Sequence, residues 1–289
     1  MANSPTNEFL ELVSLQESAI SFSRLFANSV RYHHWHQCLE MLYVEVGYGV
    51  IIVDNQQYTM RPGRLFIFPP FKLHKVMVED SQSEIYRRTI IHLDNKAVAA
   101  YLRDFPQHKA QLQRLSHRDS PAYVYDLSDI HHVIDPVFTH YGQIFSSGLY
   151  SLENIACLIL NLLTFLPESN ANHEVADDRL SGKVMQWIEE HYAEKFSLDA
   201  LAEHLNLSKS YISRRFHQET GEMIHDYLLT YRIRYACELL RKNEMAIHDI
   251  ARAVGFSVST YFISSFKNTM GKTPLKYRKE HQVIVSSAG

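Results

Sequence analysis

The chain has 289 residues, 46% of them hydrophobic and 21% charged, with a net charge of −3. That balance describes a soluble globular chain long enough for two domains. It argues against a bilayer-spanning chain, because the longest apolar segment, residues 155–166, is broken by Asn161 and falls short of a membrane's thickness. Glu8, Glu11 and Glu17 near the start, with no basic stretch before an apolar run, are unlike a secretory signal. Three scattered cysteines, Cys38, Cys157 and Cys237, form no close-spaced pair and fit a reducing compartment. The expected location is the cytoplasm, with no membrane partner. The net charge hides an asymmetry: residues 1–177 balance at −6, residues 178–289 at +3, and residues 208–280 at +6. A basic block at one end of an acidic chain points to a polyanion partner for that end.

In chain order, the first half reads as strands. Residues 39–52 are β-rich and broken by Gly47 and Gly49. Residues 57–60 follow the Asp54-Asn55 turn signal, and Arg61-Pro62-Gly63 marks another turn. Residues 65–68 end at Pro69-Pro70, and residues 76–78 and 85–93 continue the pattern. Short strands with this punctuation predict a small barrel or sandwich. Helical periodicity is expected from about Asp94, most clearly over 129–145 and 152–166. In the second of these, Leu152, Ile155, Ala156, Ile159, Leu162 and Leu163 form an apolar stripe. Its surface exceeds what a small barrel covers, which favours burial against a second copy in a homodimer over packing on the barrel itself. Residues 167–179 are polar and patternless and read as a linker. The expected organisation is therefore α+β: residues 1–166 a barrel with dimerisation helices, and residues 180–289 an all-α domain.

That helical part contains a repeat. Ala202, Asn206, Ser208, Tyr211-Ile212, Phe216 and Gly221 recur as Ala251, Gly255, Ser257, Tyr261-Phe262, Phe266 and Gly271, with an offset of 49 for the alanines and 50 for Tyr, Phe and Gly. Each copy has the logic of a helix-turn-helix unit. A small residue permits close helix approach, and Asn206 or Gly255 tolerates the positive φ that ends the first helix. A serine (Ser208; Ser257 or Ser259) caps the second helix. The tyrosine-hydrophobe pair and the later phenylalanine are expected to pack inward. Ser210, Ser213 and Arg214, and in the second copy Ser259, Thr260 and Ser264, remain to face base edges in the major groove. Residues 222–242 read as one joining helix of about 30 Å, close to the ~34 Å between successive major-groove faces. The competing reading, two packed helix pairs with no nucleic-acid role, fits the matched spacer and basic excess less well.

These residues also resemble a known family. Residues 250–278, IARAVGFSVSTYFISSFKNTMGKTPLKYR, look like the C-terminal signature of AraC/XylS-type transcription regulators, and residues 197–240 resemble that family's first helix-turn-helix and linker helix. The resemblance covers about 100 residues and implies binding of double-stranded DNA by both units, recruitment of RNA polymerase, and activation of transcription. It implies base reading by Ser210, Ser213 and Arg214, and by Ser259, Thr260 and Ser264. In the second set Ile263 stands where a small polar residue is common and Ser264 where a basic one is frequent, which shifts that unit towards backbone positioning. Lys209, Arg215, Lys267 and Lys272 are expected phosphate contacts.

In the first half, His34-x-His36-x3-Glu40, with His74 further on, resembles the cupin pattern, so the barrel is expected to be cupin-like. Even offsets along a strand would set His34, His36 and Glu40 on one face. In metal cupins such a set holds Fe, Mn or Zn. The AraC-type resemblance implies instead an organic effector, often a sugar, with His34, His36, Glu40 and His74 hydrogen-bonding its hydroxyls and Trp35 or Tyr43 stacking on it. A plainer reading leaves His33 and His34 exposed and His36 a hydrogen-bonded core residue. No nucleophile triad, phosphate-binding glycine loop or CxxC pair occurs, so neither a cofactor nor catalysis is expected. The leading reading is an effector-responsive transcription activator. A metal-dependent cupin enzyme fused to a DNA-binding domain, and a constitutive regulator whose barrel only dimerises, are the alternatives.

Overall fold

The computed structural model describes residues 15, 19–26, 33–78, 86–167 and 179–286, and these divide into two compact units. A β-rich unit holds residues 19–26 and 35–167. A helical unit holds residues 179–286 together with residues 33–34. Almost all of the expected linker, 167–179, lies outside the described residues, as does Ile85.

In the β-rich unit, strands β1 (Ile20–Phe26), β2 (Leu39–Val46), β3 (Gly49–Val53), β4 (Gln56–Met60), β5 (Arg64–Phe68), β6 (His74–Val78), β7 (Arg87–Leu93) and β8 (Tyr123–Asp126) form two antiparallel sheets. The larger runs β1-β7-β2-β5-β8 and the smaller β4-β3-β6. Leu42, Val44, Ile51, Val53, Tyr58, Met60, Phe66, Phe68, Val76 and Ile90, drawn from six strands, fill one apolar core between the sheets. Successive side chains on a strand point to opposite faces, so Leu39, Met41 and Tyr43 lie on the other side of β2, in a second core shared with the helices. Both faces of the central strands are thus buried.

The turn from β4 to β5 needs a glycine. Gly63 has φ +84°, and a side chain there would begin 2.5 Å from the Ser128 backbone. Two strands were not anticipated from the sequence. β1 pairs with β7 from Ile20↔Leu93 to Phe26↔Arg87, and β8 pairs with β5.

Helices α1 (Asn95–Ala99), α2 (Pro106–Leu115), α3 (His131–Ser146) and α4 (Leu152–Phe165) cover the outer face of the larger sheet. Ser151 and Asn154 form a reciprocal capping box that starts α4. The apolar stripe of α4 needs no second copy. Ile155, Ala156, Ile159, Leu162 and Leu163 are all buried in the chain's own core, and of the six only Leu152 is exposed, at 37%. Helices α1 to α4 and one face of β2 contribute to that core, so it covers more apolar surface than the barrel alone could.

The helical unit comprises α5 (Leu180–His191), α6 (Leu198–Leu205), α7 (Lys209–Thr220), α8 (Ile224–Lys242), α9 (Ile247–Ala253), α10 (Ser259–Met270) and α11 (Pro274–Ser286). No described helix is long and apolar enough to cross a membrane.

Candidate functional site

The two copies of the repeat fold as two helix-turn-helix units, α6–α7 and α9–α10, joined by α8. Asn206 adopts the left-handed conformation at φ 56° and Gly255 at φ 87°. The turns are closed by the same bond: the Leu207 N–H donates to the Ala202 carbonyl at 3.0 Å, and the Phe256 N–H to the Ala251 carbonyl at 2.9 Å. This six-residue closure is the Schellman-type helix end, and it explains why the alanines recur at nearly the repeat spacing. Inside, Ile212 and Phe216 of α7 and Phe262 and Phe266 of α10 are fully buried. The joining helix is nineteen residues long, about 28 Å at ~1.5 Å per residue.

Two expectations for these units need correction. Tyr211 and Tyr261 do not pack inward but are 42% and 61% exposed. Neighbouring residues on a helix lie about 100° apart, and the inward direction is taken by Ile212 and Phe262. Ser208 does cap α7, its hydroxyl accepting from the Tyr211 N–H at 3.3 Å. In the second unit, however, Val258 occupies the cap position with no side-chain bond, and neither Ser257 nor Ser259 replaces it.

The outer faces are polar. Ser210, Arg214, Thr260 and Ser264 are exposed, and Ser213 and Ser259 half-buried. Lys209 pairs with Asp199 at 2.6 Å, Arg215 with Glu219 at 2.6 Å, and Lys272 with Glu280 at 2.5 Å. Such surface pairs contribute little and leave these cations able to exchange a carboxylate for a phosphate. Lys267 is exposed and makes no ion pair among the described residues.

The β-rich unit gathers a second set of groups at one end of the space between the sheets. Glu40 on β2 is paired in register with Phe68 on β5 and with His92 on β7. His74, which begins β6, stacks on Phe68 with ring centres 4.0 Å apart. The Glu40 Oε2 atom lies 2.9 Å from His36 Nε2, 3.1 Å from His74 Nε2 and 3.8 Å from His92 Nε2. All four residues are buried. Burial would raise the Glu40 carboxyl, but the facing imidazoles of His36 and His74 outweigh it and hold the group well below its usual range. For His36 burial dominates over the attraction of Glu40 and lowers the imidazole.

Evenness of spacing is not what brings these residues together. Of His34, His36 and Glu40, only Glu40 lies on a β-strand. His36 reaches it through an irregular segment held by the Phe71 N–H, which donates to the His36 carbonyl at 2.7 Å. His33 and His34 are buried rather than exposed, and His34 counts with the helical unit. Trp35 is buried, and its indole N–H has no hydrogen-bond partner among the described residues. Tyr43 does not line the interior. An odd position on β2 puts it on the helix side, where its hydroxyl meets His131 Nδ1 at 2.8 Å and its ring meets Phe138. His92 was missed in the sequence, where a histidine in an apolar strand carries no spacing signal.

Among solved structures, the C-terminal domain of the two-component response regulator yesN from Fusobacterium nucleatum is 40% identical, covering 33% of this chain and 93% of that one, at a TM-score of 0.32. The HTH-type transcriptional activator RhaS of Escherichia coli is 28% identical over 256 residues, 85% of this chain and 87% of RhaS. An HTH-type transcriptional regulator of Staphylococcus aureus is 30% identical over 152 residues, 52% of this chain and 20% of that protein. The AraC-like ligand binding domain matches residues 20–135, and a helix-turn-helix domain matches residues 201–280. Two helix-turn-helix units behind an AraC-like ligand-binding domain make this chain a member of the AraC family of DNA-binding, effector-responsive transcription regulators.

Proposed function

We propose that this regulator activates transcription from the cytoplasm, as the name of its relative RhaS suggests, and that it does so as a homodimer contacting RNA polymerase. The observation that carries the DNA-binding part is the pair of turns closed by the same backbone bond, each presenting an exposed polar helix face. Ser210, Ser213 and Arg214 on α7 read bases. Ser259, Thr260 and Ser264 on α10 do so more weakly, having no cation among them. Lys209, Arg215, Lys267 and Lys272 contact phosphates and supply the salt-dependent part of the affinity.

The effector is a small organic molecule with hydroxyl groups, a sugar being the leading class. It binds at the polar end of the β-rich unit, where His36, Glu40 and His74 converge and His34 and Trp35 lie just upstream in the chain. Ligand binding shifts the balance between DNA-binding arrangements only through unequal affinity for them. Residues 1–166 serve effector binding and dimerisation, residues 180–289 DNA binding, and residues 167–179 join them. The chain is not an enzyme: its relatives are transcription regulators, and the polar cluster lies beside a core of apolar side chains.

The test is a mobility-shift assay across the promoter beside the protein's own gene, with and without a panel of sugars. Sequence-selective binding that weakens with salt and changes with one sugar is the expected result. Equal binding to every promoter fragment at all salt concentrations contradicts the reading.

A further inference from the structure

We infer that the second helix-turn-helix unit recognises thymine by the C5-methyl group of the base, with Ile263 and the methyl of Thr260 as the contacting surface.

Thr260, Ile263, Ser264 and Lys267 fall at the spacing i, i+3, i+4, i+7 and so share one face of α10. All four are exposed. Phe262, Ser265, Phe266 and Thr269 have the same spacing two positions on, about 200° round the helix, and are buried. The outward face of α10 is therefore the one led by Thr260 and Ile263. At an offset of 50 residues the same face of α7 carries Ser210, Ser213, Arg214 and His217. Arg214 supplies there the charged donor that suits guanine O6 and N7. On α10 the matching position is Ser264, and isoleucine stands where α7 has Ser213.

The chemistry of the α10 face follows from those two exchanges. The Ser264 hydroxyl donates to the Tyr261 carbonyl at 2.9 Å, so towards a base it acts as an acceptor. An acceptor suits the amino group of adenine or cytosine and does not suit the two acceptors of guanine. Ile263 is 37% exposed and has no polar atom to offer. Of the four bases only thymine presents a methyl group in the major groove. An aliphatic side chain beside an acceptor thus matches the two strands of an A·T pair, the methyl on one base and the amino group on the other.

Local stability gives no other reason for these choices. A β-branched residue at the surface of a helix lowers its propensity without filling a core. The start of α10 shows the same departure. Val258, 54% exposed, holds the cap position without a side-chain bond, where Ser208 caps α7. Residues that break a local rule concentrate at functional positions, and the first turns of a recognition helix are the part that meets bases.

Methyl recognition rests on the reading above that α10 enters the major groove, and the experiment separates the two. The probe is the promoter fragment beside the protein's own gene, amplified once with dTTP and once with dUTP. Uracil pairs as thymine does and lacks the methyl group. Affinities of the full chain for both fragments are measured by mobility shift. The unaltered chain should bind the uracil fragment more weakly, by about fourfold for each methyl group it buries. Arg214→Ala should keep that ratio. Ile263→Ser combined with Thr260→Ser, which keeps the Thr260 hydroxyl, should bring the ratio down. Selective binding with equal affinity for the two fragments overturns the methyl contact and leaves the DNA-binding reading standing. A ratio unchanged in the double variant, folded by circular dichroism, also overturns it, because the methyl groups are then met elsewhere. Should the double variant fail to fold, the two fragments compared on the unaltered chain still decide. No selective binding to the thymine fragment sinks both readings together.

Discussion

A side chain on Gly255 would begin 2.5 Å from the carbonyl oxygen of Tyr192. That oxygen has a structural duty, since it accepts a hydrogen bond from Arg232 Nε at 2.8 Å. The Arg232 guanidinium would itself stand 2.8 Å from the new atom. Gly255→Ala therefore adds a clash against backbone to the strain of φ +87°, which L-residues rarely adopt. It should lower stability by about 2 kcal/mol or more, read as a drop in the midpoint of urea unfolding. Asn206→Gly, at the matching turn of the first unit, should be close to neutral, because the backbone there already has the geometry that glycine tolerates.

The two recognition helices start differently, and substitution should reveal it. Ser208→Ala removes the hydroxyl that accepts from the Tyr211 N–H and should cost about 1 kcal/mol. Ser257→Ala and Ser259→Ala should each leave thermal unfolding within about 0.5 kcal/mol of the unaltered chain, because no side chain caps α10.

Acid should loosen the β-rich unit through Glu45. This carboxylate is fully buried and receives Arg24 at 2.7 Å, Arg87 at 2.7 Å and the Thr89 hydroxyl at 2.5 Å, while Arg24 also reaches Asp135 of α3 at 2.8 Å. Burial would raise the Glu45 carboxyl, but the hydrogen bonds from Arg24 and Thr89 and the two guanidinium charges outweigh it and hold the group below its usual range. A carboxyl lowered by folding stabilises the fold above its unfolded value, near pH 4.5. That contribution is lost as pH falls through the folded value. Glu45→Gln should thus destabilise the chain at pH 7 by about 3 kcal/mol and flatten the fall in unfolding midpoint between neutral and acid pH. An unchanged acid slope in Glu45→Gln would assign the acid sensitivity to other groups.

The cations proposed to face DNA should separate by role. Arg214→Ala, at a proposed base-reading position, should narrow the gap between specific and nonspecific binding by about 1–3 kcal/mol. Lys267→Ala, at a proposed phosphate-contacting position, should weaken binding to all sequences alike and reduce the salt slope by about one unit.

What the sequence revealed, and what it hid, follows from where periodic signals exist. The helix-turn-helix units were readable because their turns demand particular residues: Asn206 and Gly255 for positive φ, and Ile212, Phe216, Phe262 and Phe266 at helical spacing for the core. The strand faces were harder. Leu39 to Glu45 is buried throughout, so apolar alternation could not say which face of β2 meets the interior, and Tyr43 was placed on the wrong side. β8 is a four-residue strand inside a stretch of helical pattern and owes its existence to pairing with β5, a contact made at long range. The cluster around Glu40 was anticipated in His36 and His74, but His92 enters only through the β2–β7 register. The stripe on α4 was read correctly as apolar and wrongly as surplus, since the area of a core that includes α1 to α3 cannot be judged from one helix.

The measurement that bears most directly on the whole account is hydroxyl-radical footprinting of the operator by the full chain. Two units held apart by an α8 of about 28 Å should each enter a major groove. The account predicts two protected patches per subunit about one helical turn, ~10 bp, apart, the one under α7 lost in Arg214→Ala and the one under α10 lost in Thr260→Asp. A single patch per subunit that survives both substitutions would contradict it.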